Sequence, residues 1–259
     1  MTLFRQFFSA QFKGLLIWMA VGALFAFAGT RSAAPFIDGN AFATLPPAML
    51  ALFGNTAGLQ PVDMYLTVIV GKGTILIPTL FAVIVALSVV TREVDRRTVE
   101  FLLGLPVQRT QVLAARVAVM FVNLTAVTGT IWAVLRFDLA AQGYQGTWAH
   151  LNMLFLNIWL LAAALGTITL AVSMWIDDYS VGVKLFLGLV TLGYFIEYVL
   201  KGATVSRAGR ILSPFSYVDI GGVMRWGTIA TGDALVLIAA IAIGLAVSFR
   251  AFDRKQFSA

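Results

Sequence analysis

A chain of 259 residues that is 60% hydrophobic, 12% charged and +0.91 in mean hydropathy is not an ordinary soluble domain. The absence of cysteine excludes disulfides, thiolate metal sites and cysteine nucleophiles, and the single histidine, His150, excludes a multi-histidine metal site. The net charge of +6 comes from basic residues gathered at the ends of apolar runs, so it is a topology signal and not affinity for nucleic acid. Those runs are long enough to cross a bilayer, and the short alternating segments of a barrel are absent. The fold class is therefore an all-α polytopic membrane protein.

Residues 1–13, MTLFRQFFSAQFK, set Leu3, Phe4, Phe7, Phe8 and Phe12 on one side and Arg5, Gln6, Ser9 and Lys13 elsewhere. This pattern predicts an amphipathic N-terminal interfacial helix ahead of the first crossing. The first span is predicted at 14–29. Its flanking basic residues and Ser32-Ala33-Ala34 imitate a secretory signal. Cleavage would leave five spans with their ends on opposite sides, so a retained span is the preferred reading.

A long connection rich in proline and glycine follows, and its apolar patch PPAMLALFG is expected to rest on the membrane surface. The second span is predicted at 66–90, with Lys72 snorkelling near its outer end and a kink at Pro78. Gly71-Lys72-Gly73-Thr74 lacks the first glycine and the Lys-Ser/Thr step of a phosphate loop, so it is no nucleotide site. The remaining spans are predicted at 112–135, 153–176, 183–200 and 234–249. Arg136 and Asp138 fall in the loop after the third, and DDYSVG forms the short turn between the fourth and fifth.

Six spans place both termini on one side. That side gathers Arg5, Lys13, Arg92, Arg96, Arg97, Arg109, Arg116, Lys184, Arg250, Arg254 and Lys255. The other receives Arg31, Lys72, Arg136, Lys201, Arg207, Arg210 and Arg225, a smaller set that makes the termini cytoplasmic.

Catalytic chemistry has little to stand on. His150 is predicted to be a solitary loop residue, Asp177-Asp178 a helix terminus, and Asn123-Leu124-Thr125 a chance glycosylation match inside a span. Glu197 lies four residues before Lys201 and is expected to pair with it locally. No charged residue is central in a span, which argues against an ion-coupled carrier.

The densest charged run is TREVDRRTVEFLLGLPVQRTQVLAAR, residues 91–116. Read as a helix, it sets Val94, Thr98, Phe101, Leu102 and Leu105 on one face and Arg92, Glu93, Arg96, Arg97 and Glu100 on much of the other. Glu93 with Arg97 and Arg96 with Glu100 are four-residue pairs, and Gly104 and Pro106 end the helix. Such a helix is either a basic topology loop or a docking element whose charged face meets a soluble partner.

This run resembles the cytoplasmic loop between the second and third spans of the type-2 ABC exporter permeases. Glu93, Thr98, Glu100, Leu102-Leu103, Leu105-Pro106 and Arg109 follow that family's order and spacing. Arg97 stands where the family has Gly, and Arg116 where it has Lys. The outer-loop LFG, LSPFSYVD before the last span and the tail RAFDRK resemble it too.

The resemblance implies a single transmembrane permease domain over 1–259 in the plasma (inner) membrane, multi-pass, with a cytoplasmic coupling helix between spans two and three. Glu93, Arg96, Arg97, Thr98, Glu100, Phe101, Leu102, Pro106 and Arg109 would dock a soluble ABC-type ATP-binding subunit. The chain carries no cofactor of its own. ATP and Mg are expected on the partner, beside a second permease copy or a sister permease. Phe53, Gly54, Pro214 and Phe215 are candidates for an outer gate. The alternatives are a membrane-anchored scaffold or sensor that moves no cargo, and a lipid-modifying enzyme.

Overall fold

The computed structural model describes residues 3–32, 61–67, 72–95, 109–144, 146–176, 178–200 and 213–254. Within them every regular element is helical. The elements are α1 (Leu3–Arg31), α2 (Pro61–Tyr65), α3 (Lys72–Asp95), α4 (Arg109–Ala141), α5 (Trp148–Ser173) and α6 (Tyr179–Leu200). A 3-10 turn at Pro214–Tyr217, then α7 (Ile220–Trp226) and α8 (Thr231–Arg254), complete them. Among the described residues, α1, α4, α5, α6 and α8 are long and apolar enough to cross a membrane. The apolar part of α3, Gly73–Val89, is shorter, although α3 as a whole is about 36 Å long. The predicted PPAMLALFG surface helix lies outside the described residues.

The helices overrun their predicted limits. The amphipathic start does not form a separate interfacial helix, because α1 runs unbroken from Leu3 to Arg31. Nothing in FFSAQFKGLL stops a helix, so the two segments fuse. On the predicted second span, α3 runs from Lys72 to Asp95, past the predicted end at 90, and passes through Pro78 without interruption. α4 continues through Arg136 and Asp138 to Ala141, beyond the predicted end at 135. α5 starts and ends earlier than expected, and α8 extends at both ends.

The core forms around α5, the most enclosed of the five helices long enough to cross a membrane. Its Ala162-Ala163-Ala164 run and Gly166-Thr167 are buried and small. In a bilayer, such residues let neighbouring backbones close in where lipid tails offer no hydrophobic drive. A Cβ built on Gly166 would lie 3.2 Å from Ala82 of α3. On the other side, one built on Gly244 of α8 would lie 2.8 Å from the Thr167 carbonyl carbon.

α4 contributes Leu113, Met120, Leu124, Ile131 and Leu135, all with 0% exposure and spaced alternately seven and four apart. This is the spacing of a helix seam. α1 runs parallel to α4, since Gln11 meets Asn123 and, further along both helices, Thr30 meets Asp138. α5 runs antiparallel to α4, with Trp132 donating to Asn152 and Trp159 to Thr125. The outward faces of α1, α6 and α8 remain apolar, with Ile17, Leu24, Leu189 and Ile243 exposed. That distribution suits lipid contact.

Candidate functional site

α3 finishes at Asp95 and α4 starts at Arg109, at one end of the bundle. Arg96, Arg97, Thr98, Glu100, Phe101, Leu102 and Pro106 lie outside the described residues. The backbone at Glu93 belongs to the last turns of α3, and Arg109 opens α4. The two helices that would carry the charged run are thus antiparallel neighbours.

Arg116 fastens them. It is buried, its Nη1 donates to the Val89 carbonyl of α3, and its guanidinium lies 4.4 Å from the Phe7 ring of α1. A cation near a helix C-terminus is favourable, and one over an aromatic face gains further when desolvated. In the sequence Arg116 is one of the basic residues on the expected cytoplasmic side and stands where the family has Lys, with no sign in its charge of a role inside the bundle. A signal was available, because Arg116 stands three residues after Leu113 and four before Met120, on the buried stripe of α4.

The opposite end carries an acidic counterpart. Asp138, 8% exposed, accepts from Arg31 at 2.6 Å, from Thr30 Oγ1 and from Gln142 Nε2 at 2.9 Å. Arg136 lies 4.4 Å over the Trp148 ring. These partners keep both residues helical where composition predicts a loop. Because the Arg31 side chain is 57% exposed, its charge is largely screened. Replacing Arg31 with alanine should therefore cost under about 1 kcal/mol, since Thr30 and Gln142 remain as donors. Asp138→Ala unties three donors at once and should cost roughly 2 kcal/mol. Thermal midpoints of the two purified variants check that order.

Tyr144 donates to Asp63 at 2.5 Å and stacks edge-on against Trp148, tying the connection after α4 to α2. Burial first, and then the Asp63 carboxylate, raise the Tyr144 phenol above its ordinary value. The folded protein thus holds this proton more tightly than the unfolded chain does. Its stabilising contribution is complete below about pH 10 and is lost as pH climbs through the raised value. Tyr144→Phe should remove that part of the alkaline loss, as measured by thermal midpoints from pH 8 to 11.

Of the outer-gate candidates, Phe53 and Gly54 lie outside the described residues. Pro214 and Phe215 form the start of the 3-10 turn, capped by the Ser213 hydroxyl. Phe215 is buried, edge-on to Tyr194 at 5.6 Å, and Ser213 donates to the Gly193 carbonyl at 2.8 Å. This turn is anchored to α6.

His150 is no solitary loop residue. It lies in the first turn of α5, with Nδ1 2.8 Å from the Met224 carbonyl of α7, so Nδ1 carries the hydrogen of that bond. The chain leaves α7 through Gly227 at φ 66, where a Cβ would strike the imidazole at 2.4 Å. Asp178 Oδ1 accepts from Val181 N and caps α6, a helix terminus, while Asp177 lies outside the described residues. Asn123 is 1% exposed in the middle of α4, which leaves no room for a glycan.

A bundle of long apolar helices with polar ties at both ends defines a multi-pass membrane protein. The chain belongs to the ABC-2 transporters: the family profile described as ABC-2 family transporter protein matches residues 19–257. It is accordingly a transmembrane ABC permease, of a kind that usually works with an ATP-binding subunit. No curated protein matches it.

Proposed function

We propose that this chain is the membrane subunit of an ATP-driven exporter in the plasma (inner) membrane, a single permease domain with both termini cytoplasmic. Its six spans are α1, α3, α4, α5, α6 and α8. A separate ABC-type subunit holds ATP and Mg, and a second copy or a sister permease completes the complex. The observation that carries this reading is the antiparallel α3–α4 pair, fastened at one end by Arg116 beside the charged run.

In this reading residues 91–109 dock on the ATP-binding subunit. Glu93, Arg96, Arg97 and Glu100 supply polar contacts, while Phe101 and Leu102 hold the helix to the bundle. Closure of the ATPase pair moves the docking helix as a lever on α3 and α4. Work is transmitted only if that helix binds the open and closed partner with different free energy. Phe53-Gly54 and Pro214-Phe215 border the outer side of the pathway.

The test is a mild-detergent pull-down of tagged protein from its native cells beside Glu93→Lys. Recovery of a soluble ATP-binding protein in near-equal amount, reduced at least tenfold by the substitution (about 1.4 kcal/mol), is the expected result. Recovery with both proteins would move the docking contact away from Glu93. Intact preparations without any ATPase would leave the scaffold reading.

A further inference from the structure

α4 and α5 keep one antiparallel register along a shared face. At the rim opposite Arg116, the Arg136 guanidinium carbon lies 4.4 Å from the Trp148 ring and 5.9 Å from the Trp132 ring. One turn deeper, Trp132 Nε1 donates to Asn152 Oδ1 at 2.9 Å, and two turns below that Trp159 Nε1 donates to Thr125 Oγ1 at 3.1 Å. Between these ties the helices leave an open groove of about 510 Å³. Thr125, Asn152 and Leu156 stand exposed along it, with Gly129, Trp132 and Trp159 half-buried. From Trp132 to Thr125 it descends about 10 Å.

The wall of the groove is almost wholly apolar. Both indole N–H groups are engaged in the cross-helix ties, and Thr125 Oγ1 also donates to the Phe121 carbonyl at 2.8 Å. Water finds little to bond there, whereas hydrocarbon fits. The mouth is different. Arg136 makes no hydrogen bond or ion pair with any described residue, and the indole faces that favour its charge accept none of its hydrogens in the plane of the fork. Only its Nη1 is buried, so Nε and Nη2 remain open to the surface. The described carboxylates of this end are engaged elsewhere, Asp138 by Arg31 and Asp63 by Tyr144. Asn152 bonds through Oδ1 alone, which leaves its Nδ2 hydrogens free beside the mouth.

We propose that this groove holds a phospholipid of net negative charge. Its phosphate lies on the Arg136 fork, an ester carbonyl accepts from Asn152 Nδ2 one turn deeper, and an acyl chain runs along Gly129, Leu156 and Trp159. A planar guanidinium matches two phosphate oxygens at once. A cation flanked by tryptophan at a membrane rim also sits at headgroup depth. A zwitterionic lipid carries its own cation beside the phosphate and gains less from Arg136. A second copy packed here by two-fold symmetry would bring another Arg136 and no anion. The assignment rests on the multi-pass bundle alone, and neither an ATPase nor a cargo enters it.

The test uses the purified protein in phosphatidylcholine nanodiscs carrying a trace of phosphatidylglycerol or phosphatidylcholine with a diazirine in one acyl chain. After photolysis, labelled residues are mapped by mass spectrometry. Labelling of Leu156 and Trp159 is divided by that of Ile243, which is exposed on α8. This ratio should be about fivefold higher for the anionic probe than for the zwitterionic one, between the effect of an exposed ion pair and that of a buried charge-assisted bond.

Arg136→Gln should bring the two probes level while groove labelling by the zwitterionic probe stays unchanged, which separates a lost headgroup contact from a lost fold. Arg136→Lys, which keeps the charge without the fork, should fall between. Gly129→Leu should reduce groove labelling by both probes, because nothing lies within 4 Å of a Cβ there and the added side chain takes the space of the acyl chain. Equal ratios for the two probes in the unaltered protein would overturn the assignment. So would a preference that survives Arg136→Gln, groove labelling indifferent to Gly129→Leu, or groove residues that crosslink to a second copy of the chain in place of lipid.

Discussion

Gly244→Leu should unfold the α5–α8 contact and lower stability by about 3 kcal/mol or more, the largest loss expected from any single substitution considered in this protein. A Cβ at this position would meet the Thr167 carbonyl carbon at 2.8 Å and the Thr167 Cβ and carbonyl oxygen at 3.0 Å. Two of these three atoms are backbone, so no rotamer change relieves the contact. The helices must separate, and packing along α8 is lost with them. Even Gly244→Ala should destabilise, because overpacking outweighs the ~0.5–1 kcal/mol that alanine gains over glycine inside a helix. Gly188→Ala in α6 is the control, since a Cβ there meets nothing within 4 Å. It should leave the thermal midpoint unchanged or raise it. A Gly244→Ala protein as stable as that control would show that the α5–α8 crossing tolerates separation.

Arg116→Ala is expected to cost about 2 kcal/mol, the sum of a charge-assisted hydrogen bond and a desolvated cation–π contact, less the burial cost that the cation no longer incurs. Arg116→Met retains the apolar stem and should recover part of the loss, which separates packing from charge. Arg116→Lys keeps the charge but places one compact ammonium where a planar fork reaches two helices, so it should fall between wild type and alanine. The substitution also releases α1 from the end of α3. Because the chain contains no cysteine, a single introduced pair reports that release without background. Oxidative crosslinking of cysteines placed at Gln11 and Asn123, which meet across α1 and α4 and leave Phe7 in place, should be efficient with Arg116 present and weaker with alanine. Crosslinking unaffected by the change would mean that other contacts hold α1 in place.

The helical class, the positions of the long helices and the family were legible in the sequence, because bilayer thickness demands apolar runs and those runs stand out from their flanks. Helix ends were less legible. Arg136 and Asp138 marked a loop by composition, yet Trp148, Arg31, Thr30 and Gln142 satisfy them within or beside a continuing helix. Apart from Gln142, four residues beyond Asp138, those partners come from α1 and α5, so a local window contains little of the information. α7 was missed for a related reason: seven residues interrupted by Gly221-Gly222 carry weak propensity, and the His150–Met224 bond that holds its far end spans 74 positions. The role of Arg116 could have been read by extending the α4 stripe one step outward from Leu113 and Met120. For the charged run itself, an order of residues and a family likeness were legible, while any face that docks a partner would depend on a surface belonging to another chain.

The α4 stripe carries a buried cation at Arg116 and a buried anion at Asp138, twenty-two positions apart, which is about 33 Å along a helix. That length is close to the roughly 30 Å hydrocarbon thickness of a bilayer. The two charges therefore act as a depth stop. A slide of one helical turn, about 5.4 Å, would draw one of them toward the middle of the membrane. α1 is tied to the same two residues through Phe7 at one end and Thr30 and Arg31 at the other. The pair behaves as one rod clamped at both rims, free to tilt or turn about its long axis but not to piston, and any working stroke delivered to α4 must be of that kind.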